Sequence, residues 1–203
     1  MPCILPPGLE GNLVEYVQGG EGGWLSFDQK RFYTNAFVIQ DDKILLGLKK
    51  RGFGINKYNG FGGKVEPGET LIEAAMRELK EEAGIDAPLE HAGSLLFMTK
   101  GAGWAFQIEI FSAHSYSGTP TESDEMRPEW FSFASTASNA DAKVPPIPYE
   151  TMWDSDVYWL PLLVQGRKFV GRVDCVTQDD GEFAMTRHWF GTVILEKSAR
   201  ASH

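Results

Sequence analysis

Three glutamates, Glu78, Glu81 and Glu82, stand at positions i, i+3 and i+4, a spacing that gathers carboxylates on one helical face within a turn. Like charges so close destabilise a helix unless a cation lies among them. Mg²⁺ answers that need: it prefers oxygen ligands and keeps waters that bridge to phosphate oxygens. The chemistry suggested is therefore metal-assisted attack of water on a phosphate chain. Arg77 follows Glu69 by eight residues, and an ion pair between them would tie the preceding loop to the carboxylate helix. In that loop Gly60, Gly62 and Gly63 let the backbone approach phosphates closely and offer a main-chain carbonyl to a metal. A glutamate-rich face taken alone also describes ordinary solvated helix surface.

The elements around these residues are legible. Residues 70–83, TLIEAAMRELKEEA, are strong helix formers with Leu71, Ala75, Leu79 and Ala83 at helical spacing. Thr70 with Glu73 forms a capping box and Gly84 sits where a helix-ending glycine belongs, so a helix is expected over 71–83. Before it, FYTNAFVIQ (32–40) and KILLGLK (43–49) flank Asp41-Asp42 as a hairpin. After it, strands are expected at 93–99, 105–113 and 129–133, a helix at 156–165, and a closing hairpin from 168–176 and 183–195. One domain over 32–197 is expected, with a small, polar loop insertion at about 135–146 and a tail at 198–203. Residues 1–31, with Pro6, Pro7 and two Gly-Gly pairs, read as a loosely packed N-terminal extension, in which LVEYV (13–17) has the composition of a short added strand.

Composition narrows the partners. The 203 residues carry 28 acidic and 19 basic side chains, a net charge of −9, which repels a nucleic-acid backbone. A small polyanion neutralised by metal is still admitted. Cys3 and Cys175 are too few and too far apart for a disulfide framework. No apolar run approaches the roughly 20 residues of a membrane span, and the first residues lack a basic leader and contain Glu10 and Glu15. A cytoplasmic monomer is expected, with the nucleus or mitochondrial matrix as other compartments, and no membrane or nucleic-acid polymer as partner.

The full spacing resolves the ambiguity of the acidic face. Gly63, five residues, Glu69, seven residues, Arg77-Glu78-Leu79, one residue, Glu81-Glu82, one residue, Gly84-Ile85 matches every one of the nine fixed positions of the Nudix box. The segments LKKRGFG (48–54), YNGFGGKV (58–65), GTPTESDEMRPEWF (118–131) and MWDSDVYWLPLL (152–163) further resemble the MutT-homologue branch that hydrolyses oxidised purine nucleoside triphosphates. The resemblance covers roughly 32–195, apart from the insertion. It implies an α/β class chain, the Nudix α/β/α sandwich with a mixed central sheet. It also implies hydrolysis of 8-oxo-dGTP and 2-hydroxy-dATP to monophosphate and pyrophosphate, by substitution at the β-phosphorus with a metal-activated water.

Carried residue by residue, the resemblance places the metal ligands at the Gly62 carbonyl, Glu78, Glu82 and Glu125, for Mg²⁺ or, in its place, Mn²⁺. Glu81 is either a further ligand or the acceptor of the water's proton; carboxylates sharing metals are coupled, so sequence does not separate base from ligand. Lys49 and Lys64 read equally as phosphate-steering groups and as solvated surface lysines. The same resemblance has Asn59 reading the purine edge, Trp153 stacking on the ring, and Phe53 and Phe97 lining the pocket. By residue type alone these aromatics are more often core residues, and Asn59 a turn residue before Gly60.

One departure stands out. The family presents two adjacent aspartates just after the tryptophan, whereas this chain has Trp153-Asp154-Ser155-Asp156. Asp156 matches the second, and Ser155 replaces the first. A pair of carboxylates sharing a proton can serve as donor or acceptor to different purines; with Ser155 that device is impaired unless Asp154 takes part. A narrower or shifted choice among oxidised purines is expected, the alternative being that Asp154 and Asp156 only serve the helix N-terminus. Two other functions remain beside the hydrolase: cleavage of another nucleoside diphosphate linked to X, and a catalytically idle nucleotide-binding module.

Overall fold

In the computed structural model, residues 5–134, 144–179 and 181–194 are described. The chain runs β1 (Leu13–Gly20), β2 (Gln29–Gln40), β3 (Lys43–Lys49), β4 (Tyr58–Asn59), α1 (Leu71–Ala83), β5 (Glu90–Thr99), β6 (Trp104–Ala113), β7 (Met126–Ser132), α2 (Asp156–Val164), β8 (Phe169–Thr177) and β9 (Phe183–Val193). The strands form one mixed sheet in the order β1-β9-β8-β5-β6-β2-β3-β4, with β7 also on β3. Strands β2 with β6 and β5 with β8 are parallel, and the other pairs antiparallel.

Strand alternation sorts the core into two layers. Phe37, Ile39, Ile44, Leu46, Leu95 and Val173 meet Trp159, Leu160 and Leu163 of α2. Ala36, Val38, Leu45 and Phe61 instead meet Ala75, Leu79 and Ala83 of α1. Because β2 and β3 are covered on both faces, they read as continuous apolar runs and not as alternating ones. A helix on each side of the sheet makes the α/β/α sandwich.

The N-terminal segment is more firmly held than its composition suggests. Strand β1 extends past the expected 13–17 and pairs along β9. The guanidinium of Arg172, fully buried beside Asp174, donates to the carbonyls of Pro7 and Leu25, while the Leu25 N–H donates to Asp174 at 2.6 Å. Leu9, Leu25 and Phe27 pack on Leu96, Met98 and Ala105. A buried ion pair needs its remaining donors and acceptors met, and the arm meets them. Most of the expected loop at 135–146, and the expected tail, lie outside the described residues. Among those described, no helix is long and apolar enough to cross a membrane.

Candidate active site

Helix α1 is set by its ends. Thr70 and Glu73 close a reciprocal capping box, and Gly84 takes the left-handed conformation with its N–H on the Lys80 carbonyl. The apolar stripe Ala75, Leu79 and Ala83 buries against the sheet, which fixes where the glutamates point. Glu78 and Glu82, four residues apart, turn inward, their side chains 16% and 4% exposed, while Glu81 remains 61% exposed. The three carboxylates are thus not equivalent. Glu82 is a buried acid, not the surface residue that its place on a charged face suggests.

The glycine loop meets this helix at contact distance. The Gly62 N–H donates to Glu82 Oε2 at 2.8 Å. A Cβ at Gly63 would lie 2.4 Å from Glu78 Oε1, so a side chain there would collide with the carboxylate. Arg77 latches the assembly: its Nε and Nη2 take both oxygens of Glu69 at 2.6 and 3.1 Å, its Nη1 reaches Glu78 at 2.8 Å, and Nη2 also donates to the Lys64 carbonyl at 3.3 Å. Arg77 lies 3.4 Å from Glu81 as well. Lys64 itself lines the rim of a cavity of about 450 Å³ shared with Arg31, Tyr33 and Glu69.

Lys49 occupies the centre. Its Nζ bridges Glu82 Oε1 at 2.9 Å and Glu125 Oε2 at 3.0 Å, and Arg51 pairs with the other oxygen of Glu125. It is no solvated surface lysine. Burial pulls its ammonium down, but the Glu82 and Glu125 carboxylates outweigh that and hold its pKa above the usual value. Burial pushes the Glu82 carboxyl up, against Lys49 and the Gly62 N–H. Burial likewise raises Glu78, opposed by Arg77, whereas Lys49 and then Arg51 bring Glu125 down in spite of its slight burial.

Among the described residues no three of these acids converge as a ready chelate; the protein's own cations stand between them. The donor set nevertheless fits a hard divalent ion: carboxylates from α1 and the β7 approach, a glycine-loop carbonyl, and a position between Glu82 and Glu125 that already holds a positive charge. Residues Glu78, Glu82, Glu125 and Gly62 could hold it once Lys49 moves toward a phosphate.

The second cluster lies on the α2 side. Trp153 carries Phe53 stacked on it, centroids 5.2 Å apart, and the Lys57 Nζ 5.0 Å over its ring. Phe183 of β9 meets Phe53 edge-on at 5.6 Å. Phe53 is itself 66% exposed, hence not a core residue. Phe97 is half-buried and packs with the α2-side core. The Asn59 Oδ1 accepts from the Gly60 N–H at 2.9 Å and from Asn35 Nδ2 at 2.8 Å.

Ser155 and Asp156 are both buried, and Asp154 is exposed. Asp156 accepts from the Trp153 N–H at 3.1 Å and from Trp159 Nε1 at 3.0 Å, and burial pushes its carboxyl up to about 7. The Ser155 Oγ is 3.5 Å from Asp156 Oδ1. Asp156 thus ties the turn at Trp153 to the first turn of α2. Asp154 lies near Cys175, whose thiol is pushed up to about 11 by burial and by Asp174 and Asp154.

Sequence reasoning passes over Asn35, Arg51, Lys57 and Phe183. The signal for Asn35 is present: in FYTNAFVIQ it is the polar member of the row Asn35, Phe37, Ile39, which faces one side of the strand. Lys57 and Phe183 carry no local signal, because only the packing of distant segments brings Lys57 to Trp153 and Phe183 to Phe53.

The NUDIX domain family matches residues 30–153. The oxidized purine nucleoside triphosphate hydrolase of Mus musculus is 44% identical over 150 residues, which cover 73% of this chain and 89% of that protein. The protein of the same name in Danio rerio is 43% identical over 142 residues, covering 70% and 84%. Among solved structures, a mutator MutT protein from Bacillus halodurans aligns over 77% of this chain and 97% of its own with a TM-score of 0.57 at 23% identity, a likeness of fold. The family match runs from the start of β2 through the glycine loop and α1 to Trp153, and with relatives this similar over most of its length the chain belongs to the Nudix hydrolases, enzymes that generally use divalent metal ions.

Proposed function

We propose that this enzyme hydrolyses oxidised purine nucleoside triphosphates, 8-oxo-dGTP and 2-hydroxy-dATP, to monophosphate and pyrophosphate, with Mg²⁺ as its metal and Mn²⁺ able to replace it. The observation that carries the reading is the pairing of two clusters: the acids Glu78, Glu82 and Glu125 around Lys49, and the stacked rings of half-buried Trp153 and exposed Phe53. The relatives' names supply the substrate class.

Glu78, Glu82, Glu125 and the Gly62 carbonyl are the proposed metal ligands. Bound metal would lower the pKa of the attacking water and neutralise the departing pyrophosphate. Lys49, released from Glu82 and Glu125, steers the phosphates; Arg77 with Glu69 keeps the loop and helix in register. Glu81, the exposed acid of the three, is the best placed to take a proton from water and pass it to solvent. Trp153 stacks on the purine, with Phe53 and Phe97 as walls, and Asn59 and the Asp154-Ser155-Asp156 turn read its edge. An aromatic platform contributes on the order of 1–3 kcal/mol per base. The protein acts as a cytoplasmic monomer on free nucleotides, in keeping with its charge of −9.

The test is pyrophosphate release with Mg²⁺ across 8-oxo-dGTP, 2-hydroxy-dATP, dGTP, a dinucleoside polyphosphate and ADP-ribose. The two oxidised nucleotides are expected to lead. Preference for ADP-ribose or the dinucleoside would overturn the substrate class, and no turnover of any would leave only a binding module. Ser155→Asp places a second acid beside buried Asp156 and is expected to shift the ratio of 8-oxo-dGTP to 2-hydroxy-dATP turnover; an unchanged ratio disposes of Ser155 as a selector.

A further inference from the structure

Thr34 of β2 is 3% exposed, and its Oγ1 is buried without a hydrogen-bond partner among the described residues. An unmet hydroxyl so placed costs stability, a cost that a valine of the same shape would avoid. The bridges Tyr33–Lys64 and Ala36–Phe61 set the glycine loop antiparallel to β2, so that Thr34 stands opposite Gly63. The Thr34 N–H donates to the Gly63 carbonyl at 2.9 Å. Residues opposite each other in such a pair share a face, with Cβ positions about 5 Å apart. That face is the α1 side, because Ala36 and Val38 of the same row pack with Ala75, Leu79 and Ala83.

The side chain that Gly63 lacks is replaced by an acid. A Cβ there would lie 2.4 Å from Glu78 Oε1 and 3.0 Å from Oε2, so the Glu78 carboxylate occupies the cross-strand position beside Thr34. On its other side Thr34 pairs in register with Glu109 of β6. Glu109 is already met by Gln107, Ser94 and His91. Glu78 is less completely met: Arg77 holds its Oε1 at 2.8 Å, and no hydrogen bond among the described residues occupies Oε2. A buried donor without an acceptor thus adjoins a carboxylate oxygen without a donor.

We propose that Thr34 is a positioning residue for the metal site, its hydroxyl being the donor that orients the Glu78 carboxylate toward a divalent ion. Carboxylates that ligate metals are themselves held by hydrogen bonds, and Thr34 is the neighbouring hydroxyl with no other task. The inference rests on the reading of Glu78 as a metal ligand.

The experiment titrates Mn²⁺ into the nucleotide-free protein by electron paramagnetic resonance, and measures metal-free stability in denaturant, for the wild type, Thr34→Val, Thr34→Ser and Glu78→Gln. Thr34→Val is expected to bind Mn²⁺ about tenfold more weakly, with metal-free stability unchanged or higher, and Thr34→Ser to bind as the wild type does. Wild-type affinity in Thr34→Val overturns the proposal. So does a loss of metal-free stability in step with affinity, the signature of a merely structural hydroxyl. Wild-type affinity in Glu78→Gln is a separate failure, which removes the underlying reading. Thr34→Ala set against Thr34→Ser isolates the hydroxyl a second time, should the second methyl of valine not be accommodated.

Discussion

At the scale of single residues, the molecule separates acids that sequence treats alike. Glu78, Glu81 and Glu82 are equivalent on a helical wheel, yet Glu82 is buried between Lys49 and the Gly62 N–H while Glu81 faces solvent. Glu82→Gln keeps an acceptor for Gly62 and removes the charge; turnover is expected to fall by at least about a hundredfold with the fold retained, as pyrophosphate release and circular dichroism would show. Asp156 gives a pH signature. Its folded pKa of about 7 lies above the ordinary carboxyl value, so the folded state holds a proton that the unfolded chain gives up. The stability this contributes is complete below about pH 4 and is lost as pH rises through about 7. Asp156→Asn, which can still accept from Trp159, is expected to raise the unfolding midpoint over the wild type at pH 8 and to show no advantage at low pH; a pH-independent difference would contradict this. Such properties are not legible in the sequence, because burial of a polar side chain depends on which distant backbone lies above it.

Elements are legible where local chemistry decides them. Thr70, Glu73 and Gly84 mark both ends of α1, and alternating or continuous apolar runs mark most strands to within a few residues. Strand β7 begins at Met126 and not 129, because Pro128 looks like a break. Among the described residues β7 pairs along its length with β3, and only its end, Ser132, bridges to Pro146, so a proline without an N–H is tolerated at Pro128 on its other edge. Strand β4, two residues among glycines, has no signal of its own, since it exists only by pairing with Gly47 and Leu48. The loop-to-helix joint makes its own prediction. Gly63→Ala drives a methyl into Glu78, whose carboxylate is pinned by Arg77; pyrophosphate release is expected to drop sharply. Thr70→Ala, removing only the cap, should cost about 1 kcal/mol in denaturant titration and leave turnover near normal.

At the scale of the whole molecule, the N-terminal arm completes the polar bonding of the core. Arg172 and Asp174 lie side by side in β8 almost without exposure, their outer positions filled by Pro7 and Leu25 and roofed by Trp24. Arg172→Met strands the Asp174 charge and is expected to cost roughly 3–5 kcal/mol; adding Asp174→Leu should recover much of it. Equal stability of single and double variants in chemical denaturation would refute this reading. The arm looks loose in sequence because prolines and paired glycines mimic a linker, and its anchors lie far along the chain, 147 residues apart for the Arg172–Leu25 bond.

The Phe53–Trp153 contact has an energetic corollary. On the proposed stacking, a purine that takes the face of the indole covered by Phe53 has to prise apart a pair of rings that already shield one another from water. Its measured affinity is consequently a difference between two apolar contacts, smaller than the full stacking gain. Truncating Phe53 would strip away a competitor as well as a wall, so nucleotide affinity would weaken far less than the loss of an aromatic neighbour implies.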